Sequence, residues 1–566
     1  ILGLGVLAVC ILVFILGYTS GEPIFNMFMT SVSLAVAAIP EGLPAVVTIV
    51  LALGVQRMIA NNAIVRRLPA IETLGCVTYI CSDKTGTLTK NEMTVKEVFL
   101  ASKRHIEVSG TGYVPFGEFT EGGQVMKDDF GLFTLLDIAV GCNDASIVKE
   151  KGTTASGTTT VWSVIGDPTE GALMTLAAKG KKDKAFSKLH FPRIAELPFD
   201  SKRKRMTTIH RFETDWGIWK KGDIVAFTKG APDSLLSLSK SYLNNGKINR
   251  LSEENIRSML GLMDEMGSRG LRTLGFAMRR LDRIPSKLKF EEIEKELIFV
   301  GMVGMIDPVR QEAIEAIKIS KQAGITPVMV TGDYPLTAQA IGEELGIFGK
   351  GDKVITGIEL NNMDQAELES IAKDIKIYAR VSPEHKLRLI DALKKNSEIV
   401  AMLGDGVNDA PALGAADIGV AMGLSGTEVA KGASDIVLTD DNFASIVEAI
   451  RQGRTIFSNI RKSIIYLLSC NIGELLIFLV AITARLGNPL IPVQILMINL
   501  ITDGLPALAL GMDPQEKGIM DIPPRDTKEG ILSKPIIFRM IITGISMSIA
   551  TLLPYIILIR TGFPIE

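Results

Sequence analysis

CSDKTGTLT, residues 81–89, closes an apolar β-type run, Val77-Thr78-Tyr79-Ile80-Cys81-Ser82, and hands Asp83 to a tight Lys-Thr-Gly-Thr turn. A carboxylate at the end of a buried strand, facing backbone N–H groups and a lysine, is arranged to attack phosphorus and become an acyl phosphate. The plainer reading is a capped turn that ends a core strand. The rest of the chain decides between the two, because the same pattern returns. VTYICSD, IFVGMVGMID, TPVMVTGD, IVAMLGDG, DIGVAMG and DIVLTDD are all short apolar runs ending in Asp or Gly. Helical stretches such as 309–323 and 384–395 lie between them. This alternation predicts a doubly wound α/β unit whose ligands sit at the carboxyl ends of its strands.

The α/β pattern occupies 66–95 and 300–440, and 96–299 interrupts it. The interruption is more polar and richer in Gly, Thr and Lys, and reads as an inserted α+β domain with a polar loop at 150–160. Outside this block the chain is strongly apolar. Five segments are long enough to cross a bilayer: 1–18, 26–56, 462–484, 490–511 and 536–559. Residues 1–65 thus read as two spans, and 441–566 as a stalk and three more. Arg57, Arg66, Arg67, Arg454, Arg461, Lys462, Lys517, Arg525, Lys528 and Lys534 flank the spans on one side, which positive-inside logic makes cytoplasmic. The chain starts inside an apolar run at Ile1 and ends just after another, so it reads as a fragment.

The 566 residues carry 61 basic and 63 acidic side chains, a net charge of −2, so no basic field points to nucleic acid. Mean hydropathy is +0.28, high for a soluble chain. The five scattered cysteines read as core thiols rather than a disulfide framework.

Four pieces are expected to converge on Asp83. Thr331-Gly332-Asp333 ends a strand and offers a hydroxyl and a backbone N–H to phosphoryl oxygens. Lys386, in ARVSPEHK, supplies positive charge to a transferring group. GDGVNDAP places Asp405, Asn408 and Asp409 on a loop after a strand. Mg²⁺ prefers carboxylate, phosphate and water oxygens, so Asp83, Asp405 and the carbonyl of Thr85 form its expected set. Lys84 and Thr85 complete the phosphate pocket.

The apolar spans carry a second constellation. Glu41 is the one charge between Phe25 and Val55, in AIPEGLP. A charge at that depth costs about 2.5–3.5 kcal/mol and implies a partner or an ion. Pro40 and Pro44 remove helix donors and leave the carbonyls near Val36, Ala37 and Ile39 without helical partners. Asn471 and Glu474 share one helix face, as do Asn499, Thr502 and Asp503. This all-oxygen set suits Ca²⁺ by ligand type and number. The plainer reading is a proline kink and a polar seam between helices.

The ordered set DKTGTLT, TGD, HK and GDGVNDAP resembles the haloacid-dehalogenase-like core of P-type ATPases, the ion pumps that pass through a phospho-aspartate. The resemblance implies further roles. Asp307 and Arg310, in IDPVR, match a hinge beside the nucleotide. The insert would bind ATP through Glu170 in GDPTEGAL, Phe199 and Lys204 in LPFDSKRKRM, Lys229 and Gly230 in FTKGAPD, and Arg272 in GLRTLGFA. Glu170 would meet the adenine amino group, Phe199 would stack on the ring, and Arg272 would reach the phosphates. IPEGLP, NIGE and NLITDGLPA resemble the sarco/endoplasmic reticulum type of calcium pump. No Cys-Pro-Cys of the soft-metal type is present. The family's TGES element is also absent, which implies an actuator domain and further spans outside this sequence.

The resulting expectation is ATP-driven Ca²⁺ transport through phospho-Asp83, in a bilayer, with Mg²⁺ as cofactor. A prokaryotic plasma membrane is the expected host. The alternatives are a pump for Mn²⁺, Na⁺ or H⁺, and a membrane-anchored phosphatase of the dehalogenase-like group.

Overall fold

The computed structural model describes residues 2–19, 21, 23–37, 42–126, 129–154, 157–284, 288–484, 486, 489–526, 530 and 532–561. Eight strands form the first sheet, in the order Ala63–Val65, Ile436–Leu438, Ile418–Met422, Val400–Gly404, Tyr79–Asp83, Thr326–Thr331, Ile375–Ala379, Lys353–Thr356. All neighbours are parallel except Ala63–Val65, which runs antiparallel at the edge. Tyr79–Asp83 lies at the centre, and its first four residues are buried. Its neighbours continue the chain in opposite directions across the sheet, so Asp83 sits at a topological switch point, where α/β sheets open a crevice for ligands. The predicted helices are present as Gln311–Gln322 and Pro383–Lys395.

A second sheet of eleven strands forms within 94–306 and is almost wholly antiparallel. Successive residues alternate between its two faces. Val98 and Leu100 pack with Leu132, Leu135 and Leu173 under the helices Phe130–Gly141 and Pro168–Lys179. Phe99 and Ala277 point the other way, onto Leu235, Met259 and Met266 under Pro232–Leu238 and Glu253–Ser268.

One expectation needs correction here. IFVGMVGMID was read as a strand of the α/β unit, within 300–440. The strand Leu297–Ile306 instead pairs with Arg272–Leu281 and Thr94–Leu100 in the second sheet. Nine of its ten residues are buried. A strand covered on both faces reads as a continuous apolar run whether its neighbours are parallel or antiparallel. The polar stretch read as a loop at 150–160 belongs to a hairpin, Ser146–Thr154 with Gly157–Ile165. Its β-branched threonines favour strand, and no apolar alternation marked it.

Among the described residues four helices are long and apolar enough to cross a membrane: Leu43–Ala60, Phe443–Thr483, Val493–Gly511 and Lys534–Thr561. The segment expected as one span over 26–56 is two helices, Ile24–Ala37 and Leu43–Ala60. Pro44 stands in the first turn of the second, where its missing N–H costs nothing. The helix Phe443–Thr483 begins on an Asn442 cap and runs without a break from beside the first sheet into the apolar bundle. Val493–Gly511 contains a turn of π-helix at Ile498–Thr502, immediately before Asp503. Such wide turns interrupt regular helices and gather at functional sites.

A candidate phosphoryl-transfer site and a buried carboxylate cavity

Asp83 ends the central strand, and the chain then turns through Lys84–Leu88. Gly86 takes φ +74°, a left-handed conformation that glycine adopts at no steric cost. Lys386 reaches this carboxylate from the helix Pro383–Lys395. Ser382 caps that helix: its hydroxyl faces the His385 N–H, and its own N–H donates to His385 Nδ1 at 3.1 Å. Lys386 therefore sits in the first turns of a fixed helix, where the helix dipole disfavours a cation. Two carboxylates offset this. Its Nζ lies 2.7 Å from Asp83 Oδ2 and 2.7 Å from Asp409 Oδ1. Burial works against its charge, yet Asp83 and Asp409 prevail and hold the ammonium above the usual lysine range.

Asp409 is itself fixed, accepting the Gly406 N–H at 3.0 Å. A side chain at Gly404 would meet Asp409 Cβ at 2.6 Å, so this close approach requires glycine there. Asp405 shares the site. Burial pushes its carboxyl up, and the charges of Asp83 and Asp409 add to the effect. Lys84 Nζ pairs with Asp333 Oδ2 at 2.8 Å, tying the acceptor turn to the neighbouring strand. Thr331 is buried, and its Oγ1 accepts the Asp333 N–H at 3.2 Å. Thr85 and Asn408 are exposed at the rim. The structure thus gathers Asp83, Lys386, Asp405 and Asp409, with Lys84 and Asp333 beside them. Asn408 contributes no contact to this cluster.

Asp307 and Arg310 stand on the acceptor turn itself. Asp307 accepts from the Thr89 hydroxyl at 2.5 Å and the Glu92 N–H at 3.1 Å. Arg310 donates to the carbonyls of Thr89 at 3.1 Å and Gly86 at 3.3 Å. They clamp the exit of the turn where the chain leaves for the second sheet.

On the second sheet a cleft of about 270 Å³ is lined by Glu170, Phe199, Lys229, Gly230 and Arg272. Five residues named from the sequence thus meet in one place. Asp167, Thr169, Leu173 and Leu274 also line it and were missed. Asp167 was legible as the Asp-Pro cap of the helix Pro168–Lys179, accepting the N–H groups of Thr169 and Glu170. Phe199 is 65% exposed, a ring with one face free. Lys229 Nζ contacts Glu170 Oε1 at 2.5 Å, and Glu170 Oε2 accepts the N–H groups of Asp144 and Ala145. A side chain at Gly230 would strike Arg205 Cβ at 2.5 Å and the Lys204 carbonyl at 2.7 Å. That glycine answers to the protein's own packing, and Lys204, expected from the sequence, is not among the residues that line the cleft.

In the apolar bundle a cavity of about 450 Å³ opens between the helices Phe443–Thr483, Val493–Gly511 and Lys534–Thr561. Glu474 and Asp503 both line it. They are 7% and 6% exposed, and neither Glu474 oxygen nor Asp503 Oδ2 finds a hydrogen-bond partner. Three buried carboxylate oxygens without a partner call for a proton or a cation. Asn471 and Asn499 are buried nearby on the same helices, whereas Thr502 is exposed. Val36 and Ala37 end the helix Ile24–Ala37, while Ile39 and Glu41 lie outside the described residues. Among the described residues, no three acidic, cysteine or histidine groups are close enough to form a ready-made metal site. Cys470, Thr551 and Tyr555 line the cavity and were missed, because single such residues in an apolar helix carry no periodic signal.

The chain is similar to several known proteins. A family described as P-type ATPase, cytoplasmic domain N matches 132–312. Two families of haloacid dehalogenase-like hydrolases match 240–417 and 386–450, and one described as cation transporting ATPase, C-terminus matches 487–564. A calcium-transporting ATPase of Bacillus subtilis is 46% identical over 555 residues, 97% of this chain and 60% of its own length. One from Listeria monocytogenes is 42% identical over 98% of this chain and 60% of its own length. A human calcium-transporting ATPase type 2C member 1 is 40% identical over 96% and 56%. The chain spans about 60% of the length of the curated relatives it matches.

Proposed function

We propose, from the chain's likeness to P-type ATPase families and to calcium-transporting ATPases, that it carries the phosphoryl-acceptor, nucleotide-binding and cation-binding parts of an ATP-driven Ca²⁺ transporter. One observation carries this reading. A single helix, Phe443–Thr483, starts beside the sheet that bears Asp83 and runs along the cavity that Glu474 lines.

In this reading ATP occupies the cleft at Phe199 and Lys229. The Asp83 carboxylate forms a bond to the γ-phosphorus as the bond to the departing ADP oxygen breaks. Lys386 holds Asp83 in place and offsets charge on the transferring group. Asp83, Asp405 and the Thr85 carbonyl would hold Mg²⁺, an all-oxygen set that suits it and that the crowding of carboxylates around Asp405 favours. Bound Mg²⁺ neutralises phosphate charge. Asp307 and Arg310 keep the acceptor turn closed on its strand.

Ca²⁺ is the cargo, taken between Glu474 and Asp503 with amide and carbonyl oxygens from the adjoining helices. The resemblance to the sarco/endoplasmic reticulum type rests on Asn471, Glu474, Thr502 and the AIPEGLP stretch with Glu41. Relatives from Bacillus and Listeria favour a prokaryotic plasma membrane. A membrane-anchored phosphatase would give Glu474 and Asp503 no reason to be buried in an apolar bundle. A pump for Mn²⁺, Na⁺ or H⁺ differs only in which ion drives the first step.

The test is acid-stable phosphate incorporation from γ-labelled ATP by the intact protein. Labelling should require Ca²⁺ and vanish in Asp83→Asn. Glu474→Gln and Asp503→Asn should shift the Ca²⁺ dependence to higher concentration while leaving nucleotide binding intact. Labelling indifferent to Ca²⁺ refutes the cargo, and no labelling refutes the reaction.

A further inference from the structure

The cytoplasmic end of the long helix holds a pocket that neither Asp83 nor the cation cavity uses. It encloses about 280 Å³. Arg454, Phe457 and Arg461 of the helix line it, with Cys76 from the turn before the acceptor strand and Glu516 and Arg525 from the 512–526 connection.

The charges in this pocket do not balance. Arg454 is 7% exposed and donates only to backbone carbonyls: Ile519 at 3.1 Å, Ile522 at 2.8 Å and Ala323 at 3.0 Å. Its Nε is buried without a partner. The Arg525 guanidinium lies 4.0 Å from the Phe457 ring centre and donates to Cys76 Sγ at 3.5 Å. Its ion-pair partner is the exposed Glu72, at 3.9 Å. Arg461 is half-buried and makes no hydrogen bond or ion pair among the described residues. Glu516, the one carboxylate in the lining, is engaged by Lys462 at 2.6 Å and by the Ser458 hydroxyl at 3.3 Å. Arg454 and Arg461 therefore share one pocket without a carboxylate of their own among the described residues.

A buried arginine lacking a counter-charge is costly, and an anion removes the cost. Guanidinium groups match the planar, bidentate geometry of phosphate oxygens better than any other side chain. The position adds a source. Arg461 and Lys462 immediately precede the apolar run of the helix, which sets them at the level of the cytoplasmic head groups.

We propose that this pocket binds a phosphate-type anion, with the head group of an anionic phospholipid as the source its height favours. The proposal rests on the membrane placement of the helix and not on the identity of the transported ion. A bound phosphate would join the long helix, the 512–526 connection and the turn before the acceptor strand.

Native mass spectrometry of the intact protein released from phosphatidylcholine nanodiscs containing phosphatidylglycerol tests it. Wild type should retain phosphatidylglycerol in preference to phosphatidylcholine. Arg461→Ala removes no hydrogen bond or ion pair among the described residues, so folding should persist, checked by an unchanged unfolding midpoint. Losing one charged hydrogen bond should weaken lipid retention about tenfold. Lys534→Ala, which removes one exposed charge from the same face, should change it less than twofold. Added sodium sulfate distinguishes the source: displacement of lipid from wild type assigns the pocket to free anions as well, and undisturbed lipid assigns it to the head group. Equal retention by wild type and Arg461→Ala, or equal losses in Arg461→Ala and Lys534→Ala, overturns the proposal.

Discussion

Replacing Lys386 with methionine isolates what one buried charge contributes to the acceptor site. The side chain is 8% exposed and its Nζ sits 2.7 Å from both Asp83 and Asp409. Methionine keeps most of the volume and removes the charge, leaving Asp83, Asp405 and Asp409 facing one another. Breaking a buried pair from one side costs roughly 3–5 kcal/mol when the remaining charges stay ionised. The cluster relieves part of that cost by taking up a proton. Asp405 is the site of uptake, since burial and its two neighbours already raise its pKa and Lys386 is the group that lowers it. A carboxyl whose folded pKa lies above its unfolded value is most favourable to folding when protonated, and that advantage is lost as pH rises through the folded pKa. Lys386→Met should therefore be destabilised more at pH 7.5 than at pH 5, relative to wild type. Phosphorylation should fall by about 10²–10³-fold, the usual effect of deleting one positioned charge-stabilising group, or roughly 2.7–4 kcal/mol. Rapid-quench measurement of acid-stable phosphoprotein gives the rate, and unfolding midpoints at the two pH values give the linkage. A rate within threefold of wild type would refute the role of Lys386. A pH-independent loss of stability would refute the coupling to Asp405.

Two further outcomes follow from the second sheet. Phe199→Ala should weaken ATP binding by about 5- to 150-fold, since stacking on a base is worth roughly 1–3 kcal/mol, while the 65% exposure of Phe199 leaves the fold untouched. Calorimetry showing unaltered affinity would remove Phe199 from the nucleotide cleft. His210 is fully buried between Phe191 and Thr208, and burial pushes its pKa down to about 4. The unfolded chain takes up that proton near pH 6.5 and the folded chain resists it. Stability should fall from pH 6.5 toward pH 4, by roughly 3 kcal/mol in total. Tryptophan fluorescence follows it through Trp216 and Trp219, and His210→Gln should flatten the slope. An identical slope in the variant would show that His210 does not titrate on unfolding.

What the sequence reveals depends on how local each signal is. Tyr79–Asp83 is legible because a short apolar run ending in Asp before a Gly-containing turn has few other uses. Glu474 and Asp503 are legible because a charge in an apolar span is costly wherever it points. Leu297–Ile306 was assigned to the wrong sheet because burial on both faces erases the alternation that separates antiparallel from parallel strands. The 26–56 segment shows the reverse case. Its prolines announced a break, yet its hydropathy still read as one span. The Lys84–Asp333 pair and the arginine pocket needed the fold. Their partners come from segments far apart in the chain, and arginines beside a span read only as a topology signal.

The long helix joins the sheet of Asp83 to the buried carboxylate cavity. At about 1.5 Å per residue it runs roughly 47 Å from Phe443 to Glu474. Its part before the apolar run does not stand free. One continuous hydrophobic cluster joins Ile80 and Leu88 around the acceptor turn to Ala313, Ala316 and Ile317, then to Phe443, Ile446, Val447, Ile450 and Ile456 of the helix. The same cluster goes on to Val50 and Met58 of the preceding span and Ala507 of the following one. Glycines keep these contacts close: a side chain at Gly54 would meet Ile456 at 2.3 Å, and one at Gly511 would meet Val50 at 2.1 Å. Interiors packed this tightly do not deform gradually, so a displaced acceptor strand moves its neighbours as bodies or not at all. The polar seam follows the same path. Ser463 donates to the Ala507 carbonyl at 2.7 Å and Asn459 to the Asp513 carbonyl at 2.8 Å, fixing the long helix to the helix that leads back to Asp503. The sheet that bears Asp83 and the two helices that carry Glu474 and Asp503 are thus packed into one body. On the proposed reading, a shift of the acceptor strand is expected to move Glu474 and Asp503 together.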